Sequence, residues 1–280
     1  MSDQESPLFC STALAERIER AESSLIGSGT EAARLRGTDQ TQFVTPIAGG
    51  LACFAGDGSP LNKIVGLGFG GVPDDAVLDE IEKAFAARGT ATQIELTHLA
   101  DPEIGAALVD RGYSLVGFEN VLGRAVDSGT ELVSPPGVTV RRSDDDEFDT
   151  WLDVVVDGFA HPDTQGVASH EDFPREAIES ATRDMAAAGV TRYVALREGE
   201  IAGSASIRIA DDVALFTGAA TAPAHRRRGV QTALLSTRLA DAAAAGCAIA
   251  VVTTAPGSKS QQNVQGRGFH LLYTRAVLVK

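Results

Sequence analysis

Three consecutive arginines, Arg226, Arg227 and Arg228, stand directly before Gly229 in the stretch PAHRRRGVQTALL. An apolar pattern follows the glycine, so the cluster lies at the start of a helix. A helix start exposes about four backbone N–H groups without intrahelical partners. The macrodipole adds partial positive charge there, so a basic cluster at that end calls for a compensating anion. Gly229 lets a ligand approach the backbone closely, and Val230, Gln231 and Thr232 offer further N–H groups. The strand expected over Val213 to Thr221 feeds straight into this turn. Such a strand–loop–helix unit suits a diphosphate. The plainer alternative is a solvated basic patch without a ligand. The stretch lacks both the Gly-Lys-Ser/Thr ending of a P-loop and the three spaced glycines of a dinucleotide fingerprint.

The elements around this stretch can be read from periodicity. In the second half, Val138 to Arg141 is expected as a strand and Asp146 to Phe159 as a helix. A second helix starts at Pro174 and ends near Gly189. TRYVALR, IAGSASIRI and VALFTGAAT are joined by tight turns and predict an antiparallel meander. A helix then runs from Gly229 to Gly246. The buried strand CAIAVVTT, a short helix over Ser258 to Gly266 and a final strand over Phe269 to Val279 follow.

The clearest boundary is the Gly-, Ser- and Pro-rich run between Val126 and Arg142. A linker near 127–136 divides the chain into domains 1–130 and 131–280. The halves repeat one pattern: a glycine-ended helix, a strand, a short helix, then Arg-Gly-aromatic and another strand. Arg111-Gly112-Tyr113 corresponds to Arg267-Gly268-Phe269, and Leu122 to Leu278, so duplication is expected.

Composition bounds the rest. At 280 residues with 44% apolar and 22% charged residues, the chain is an ordinary globular protein. Its net charge of −14 argues against general binding to nucleic acid or to an anionic membrane. Cys10, Cys53 and Cys247 are scattered and odd in number, with neither disulfide nor metal-ligand spacing, so no metal is expected. The N-terminus carries no basic region followed by an apolar run, and no segment is long and apolar enough to span a bilayer, so a cytoplasmic location is expected.

Thr221-Ala222-Pro223-Ala224-His225-Arg226-Arg227-Arg228-Gly229-Val230-Gln231 resembles the acetyl-CoA signature of the GNAT acetyltransferase superfamily. Thr221 stands for the family's Val, while Pro223, Arg226 and Gly229 match. Gln231 replaces its last small residue. Gly268-Phe269 matches the family's Gly-Phe, and the resemblance covers residues 137–280 in element order. It implies an α/β (α+β) fold of two GNAT-like domains, each a mixed, mostly antiparallel twisted sheet flanked by helices. The first copy is degenerate. VGLGFGGVPDDAVLDE occupies the place of the phosphate loop, no Arg-x-x-Gly follows, and Asp74, Asp75, Asp79 and Glu80 open the helix.

The resemblance further implies roles. Ala219, Ala220 and Thr221 would bind the pantetheine arm and polarise the thioester, the N–H groups of Arg227 to Thr232 would hold the diphosphate, and the arginines would neutralise adenosine phosphates. Ser260 and Asn263 would lie near the thiol. Many relatives carry a general-acid Tyr five residues before the Gly-Phe aromatic; here that position is Val264. Ser260, Asn263 or a water would substitute, and Tyr273 is expected to be structural. The fourth strand of the second half offers no carboxylate beyond Asp212, so the base is sought in the loop after the first helix, among His161, Asp163, His170 and Glu171. Glu119 and Asn120 would face the acceptor if the halves pack suitably. The expected activity is acetyl transfer from acetyl-CoA to the primary amine of a small molecule by direct attack, in a monomer or homodimer. The alternative is an acyl-CoA-binding pseudoenzyme or sensor without turnover.

Overall fold

The computed structural model describes residues 8–37, 41–127, 132–161, 165–168 and 171–280. The chain opens with a long helix, α1 (Thr12–Arg36), started by the Ser11 side chain, which accepts from the Leu14 N–H at 3.2 Å. The first half continues with β1 (Phe43–Ile47), β2 (Gly50–Phe54), β3 (Lys63–Leu67), α2 (Asp75–Ala86), β4 (Gln93–Thr97), α3 (Pro102–Asp110) and β5 (Ser114–Ala125). The second half is β6 (Val138–Arg142), α4 (Phe148–Ala160), α5 (Arg175–Ala187), β7 (Thr191–Arg197), β8 (Glu200–Ala210), β9 (Val213–Thr221), α6 (Val230–Ala244), β10 (Ile249–Thr254), α7 (Lys259–Gln265) and β11 (His270–Val279). The expected elements of this half are all present, within a few residues of the expected bounds.

Local chemistry explains the tight connections. The β7–β8 turn places Glu198 and Gly199 at φ 57° and 86°, and the β1–β2 turn places Ala48 and Gly49 at 43° and 82°. Two consecutive positive φ angles are what a two-residue hairpin matching strand twist requires. Ala48 and Gly49 are therefore the turn residues of the β1–β2 hairpin.

The eleven strands of the described residues form one continuous, mostly antiparallel sheet in the order β1-β2-β3-β4-β11-β5-β10-β9-β8-β7-β6. The two terminal strands are exchanged. β5, from the first half, pairs with β10, while β11, from the second, pairs with β4. The two also pair with each other, and the register repeats about their midpoint: His270 faces Gly123 as Val279 faces Ser114, and Leu271 faces Leu122 as Leu278 faces Leu115. Gly112 and Gly268, the matched glycines of the sequence repeat, both adopt positive φ, at 91° and 81°. The matched positions of the repeat thus share register and backbone state.

Helices cover both faces. On one, α2 and α3 bury Leu78, Ile81, Phe85, Ile104 and Leu108 against the first half, while α6 buries Val230, Ala233, Leu234 and Leu239 against the second. On the other, α1 lies across both halves and buries Ala15, Ile18 and Leu25 against Val213, Val251 and Tyr273. α5 packs beside α1, and α4 packs against α5 and the sheet through Trp151, Leu152 and Val155. No helix among the described residues is long and apolar enough to cross a membrane.

Candidate active site

The site starts from a break in the sheet. β9 and β10 run parallel and pair only from Val213/Ile249 to Leu215/Val251. Beyond that point the strands diverge while each keeps its outer neighbour: Ala220 stays paired with Ser204 on β8, and Thr253 with Val121 on β5. A register irregularity between Ser204 and Ser206 and a left-handed Gly218, at φ 55°, bend β9 outward. The Ser206 hydroxyl bridges the bend to Thr217 Oγ1 at 2.7 Å. A wedge is left whose two walls carry backbone polar groups without a strand between them, as an extended ligand requires.

The wedge leads to the arginine-rich loop. Arg227 and Gly229 are both left-handed, at φ 59° and 84°, which turns the chain sharply into α6. A Cβ at Gly229 would lie 2.5 Å from Pro135 of the inter-half connection, so both conformation and space require glycine. No side chain caps α6. The matching helix of the first half differs: Asp74 caps α2 by accepting from the Ala76 and Val77 N–H groups at 2.8 and 3.4 Å. Arg226 donates to the His161 carbonyl at 2.5 Å, and Arg227 and Arg228 are exposed. Among the described residues, the α6 start thus combines N–H groups that no side chain caps with arginines that no carboxylate pairs, the chemistry of an anion site.

A cleft of about 400 Å³ joins the two features. Ala219, Ala220, Thr221, Arg226, Arg227, Gly229, Val230, Gln231, Thr232, Ser260 and Asn263 all line it. The structure thus brings together every expected cofactor-side residue except Arg228, which is not among the lining residues. Gly158 and Phe159, at the end of α4, form the opposite rim. Gly158 is needed there, since a Cβ would lie 2.4 Å from the Ala220 Cβ.

A second cavity, of about 240 Å³, meets the first at Phe159, Ala219 and Ser260. It lies on the α1 side of the sheet, between α1, α5, β9 and β10, and Glu22 lines it. The Glu22 carboxylate accepts from Arg275 at 2.9 and 2.6 Å. Burial opposes its charge, but Arg275, Lys63 and a hydrogen bond from Thr253 hold its carboxyl below the usual range. Arg275 is itself almost inaccessible and also binds Glu19 at 2.8 Å. Burial pushes the Glu19 carboxyl up, although Arg275 pulls the other way. Periodicity offered one clue to this group: Glu19 and Glu22 fall on the same helix face as Ala15, Ile18, Leu25 and Ile26, charges inside an apolar stripe.

Other candidates lie elsewhere. His161 is exposed, with its Nδ1 3.0 Å from the Asp157 carbonyl, and lines neither cavity. Asp163 and His170 lie outside the described residues. Glu171 accepts from Gln93 at 2.9 Å and lines a separate cavity against the first half. Asn120 donates to Gln261 on α7 and accepts from Thr274, so it fastens the short helix to the sheet. Tyr273 is buried and donates to Glu19 at 2.6 Å, a structural role. Val264 is 1% exposed and packs in the core with Phe269 and Leu235, not on the cleft.

The comparisons with known proteins agree with this geometry. Residues 156–269 match the model of the Acetyltransferase (GNAT) family. A GCN5-related N-acetyltransferase from Kribbella flavida shares the fold with a TM-score of 0.67 at 21% identity, covering 96% of each chain. A tandem GNAT protein from the clavulanic acid biosynthesis pathway superposes with a TM-score of 0.57 at 13% identity, covering 98% of this chain and 97% of that one. A GCN5-related N-acetyltransferase from Sphaerobacter thermophilus gives 0.55 at 16% identity over 73% of this chain and 66% of that one. No curated protein matches the chain. The family match runs from Val156, inside α4, to Phe269, just before β11, and the fold is shared nearly end to end with that tandem GNAT protein.

Proposed function

We propose that the chain transfers an acetyl group from acetyl-CoA to the primary amine of a small molecule by direct attack. The observation that carries this reading is the continuity between the β9–β10 wedge and the uncapped, arginine-flanked start of α6. The wedge suits a pantetheine arm as an inserted strand. The N–H groups of Val230, Gln231 and Thr232 suit a diphosphate, and Arg227 the adenosine phosphate. The first half binds no CoA in this account, because Asp74 already occupies its helix start and adds negative charge there.

Acetyl-CoA supplies an activated acetyl group. The protein's own part is to hold the thioester at the junction of the cavities and to orient a neutral amine. The backbone N–H of Ala219 donates to the carbonyl oxygen as it gains charge, because strand alternation turns the Ala220 N–H toward β8. An ammonium acceptor loses one proton before attack and a second as the C–N bond forms. The C–S bond breaks, the departing sulfur takes up one proton, and the net reaction releases the other. Ser260 and Asn263 stand where that sulfur leaves, and Ser260 lines both cavities. They take the place of the phenol that Val264 cannot supply.

The burial of Val264 also favours a second reading, a CoA-binding protein without turnover. Incubation with acetyl-CoA and a panel of primary amines separates the two. Release of free thiol that depends on the amine supports transfer, whereas tight CoA binding without thiol release across the panel supports the sensor.

A further inference from the structure

The 240 Å³ cavity beyond Ser260 shares only Phe159, Ala219 and Ser260 with the acetyl-CoA cleft, and Glu22 is the one charged side chain lining it. Its walls are Leu25 and Ile26 of α1, Met185 of α5, Leu215 and Phe216 of β9 and Val251 of β10. Against these stand the Glu22 carboxylate and the hydroxyls of Thr217, Thr253 and Ser260. We infer that this cavity is the acceptor site and that it selects a small monoamine with an apolar body, whose ammonium pairs with Glu22. The inference rests on the acetyl-transfer reading of the adjoining cleft.

Charge, size and polarity each narrow the ligand. Arg275 holds Glu22 in one orientation through two hydrogen bonds, with Thr253 adding another. A carboxylate offers roughly four lone-pair positions, so acceptor capacity remains for an ammonium. The Glu22 side chain keeps 18% of its surface accessible, whereas Arg275 keeps 1%. The accessible partner of this pair is therefore the anion. Behind it, Glu19, Glu95 and Glu119 gather around Arg275 and Lys63, and Glu22 is the one carboxylate of this cluster that lines the cavity. A cationic ligand is drawn to such a wall and a carboxylate-bearing one is repelled.

A dry cavity of about 150 Å³ takes benzene, so one of 240 Å³ suits an amine with roughly ten non-hydrogen atoms. An amino sugar would bury hydroxyls against aliphatic walls without partners. A polyamine would bring a second ammonium with no second carboxylate lining the cavity. Both are disfavoured, as is an amino acid. The first half thereby contributes to specificity, because Glu22, Leu25 and Ile26 all come from α1.

The test uses benzylamine as probe, with glucosamine, spermidine and β-alanine as comparisons. Calorimetric titration of benzylamine is run into the free protein and into protein saturated with CoA, and KM values are taken from thiol release. The expected result is binding of benzylamine and a KM at least tenfold below that of each comparison. Glu22→Gln should raise the benzylamine KM and Kd at least tenfold while leaving the Kd for CoA within twofold. Met185→Phe, which narrows the far wall and leaves the ion pair intact, should shorten the longest linear alkylamine accepted. Equal or better use of glucosamine, spermidine or β-alanine would overturn the inference. So would benzylamine binding that neither variant changes. If the protein fails to bind CoA, the acetyl-transfer reading falls, and the titration into free protein still decides what the cavity holds.

Discussion

The residues that matter most at the cleft are those whose backbone state is fixed by geometry. Gly229 combines a φ of 84° with a Cβ position 2.5 Å from Pro135. Gly229→Ala therefore adds left-handed strain of about 1 kcal/mol and a steric clash, and either moves the loop that carries the N–H groups. The affinity for CoA should fall about tenfold or more in a protein that remains folded, a change that calorimetry and circular dichroism check together. The sequence made this glycine and its arginines legible, because helix-start signals and charge are local. It did not reveal Glu22, whose role depends on Arg275 and Thr253, more than two hundred residues away in the chain. Nor did it separate His161 from the cleft, since only the fold shows its ring turned to its own helix.

At the scale of elements, the two halves use the same unit in opposite ways. The start of α6 is left open, and the start of α2 is closed by Asp74. Asp74→Ala should cost about 1 kcal/mol of stability through loss of the cap, with no change in CoA affinity. Thermal unfolding and a CoA titration on one preparation check both parts, and a change in affinity would assign the first half a part in binding CoA. Strand pairing sharpens the contrast. β3 and β4 stay paired out to Leu67/Leu96, at the end of β3, whereas β9 runs on to Thr221 while its pairing with β10 stops at Leu215. Period and turn residues displayed the β7–β8–β9 meander and α6 in the sequence. They could not display the exchange of β5 and β11, because an apolar strand pattern records a buried environment and not which neighbour supplies it.

The exchange governs the whole molecule. Without the first half, β11 loses both of its neighbours and β10 loses β5. Residues 131–280 expressed alone should fail to fold cooperatively, as should residues 1–130, whose β4 depends on β11. A chain cut between 127 and 136 with both pieces present should retain the fold. Amide-resolved NMR of each piece, alone and mixed, checks this.

The buried charges between the halves also set a pH dependence. Burial, with Glu95 adding to it, pushes the Glu119 carboxyl up to about 8, against the pull of Lys63 and Arg275. The folded protein then holds a proton that the unfolded chain gives up near pH 4 to 5, so this residue lowers stability as pH rises from there to about 8. Glu119→Gln removes that loss. Its melting temperature relative to the parent should rise between pH 5 and pH 8, and a constant difference would show that Glu119 is ionised in the fold.

Acetyl transfer requires that the wedge and the α6 start hold CoA. Calorimetric titration of acetyl-CoA into the intact protein and into an Arg226→Glu/Arg227→Glu variant tests this directly. The expected result is one site per chain in the parent, with affinity weakened at least tenfold in a variant whose melting profile is unchanged. No binding by the folded parent, or equal affinity in the variant, would contradict it.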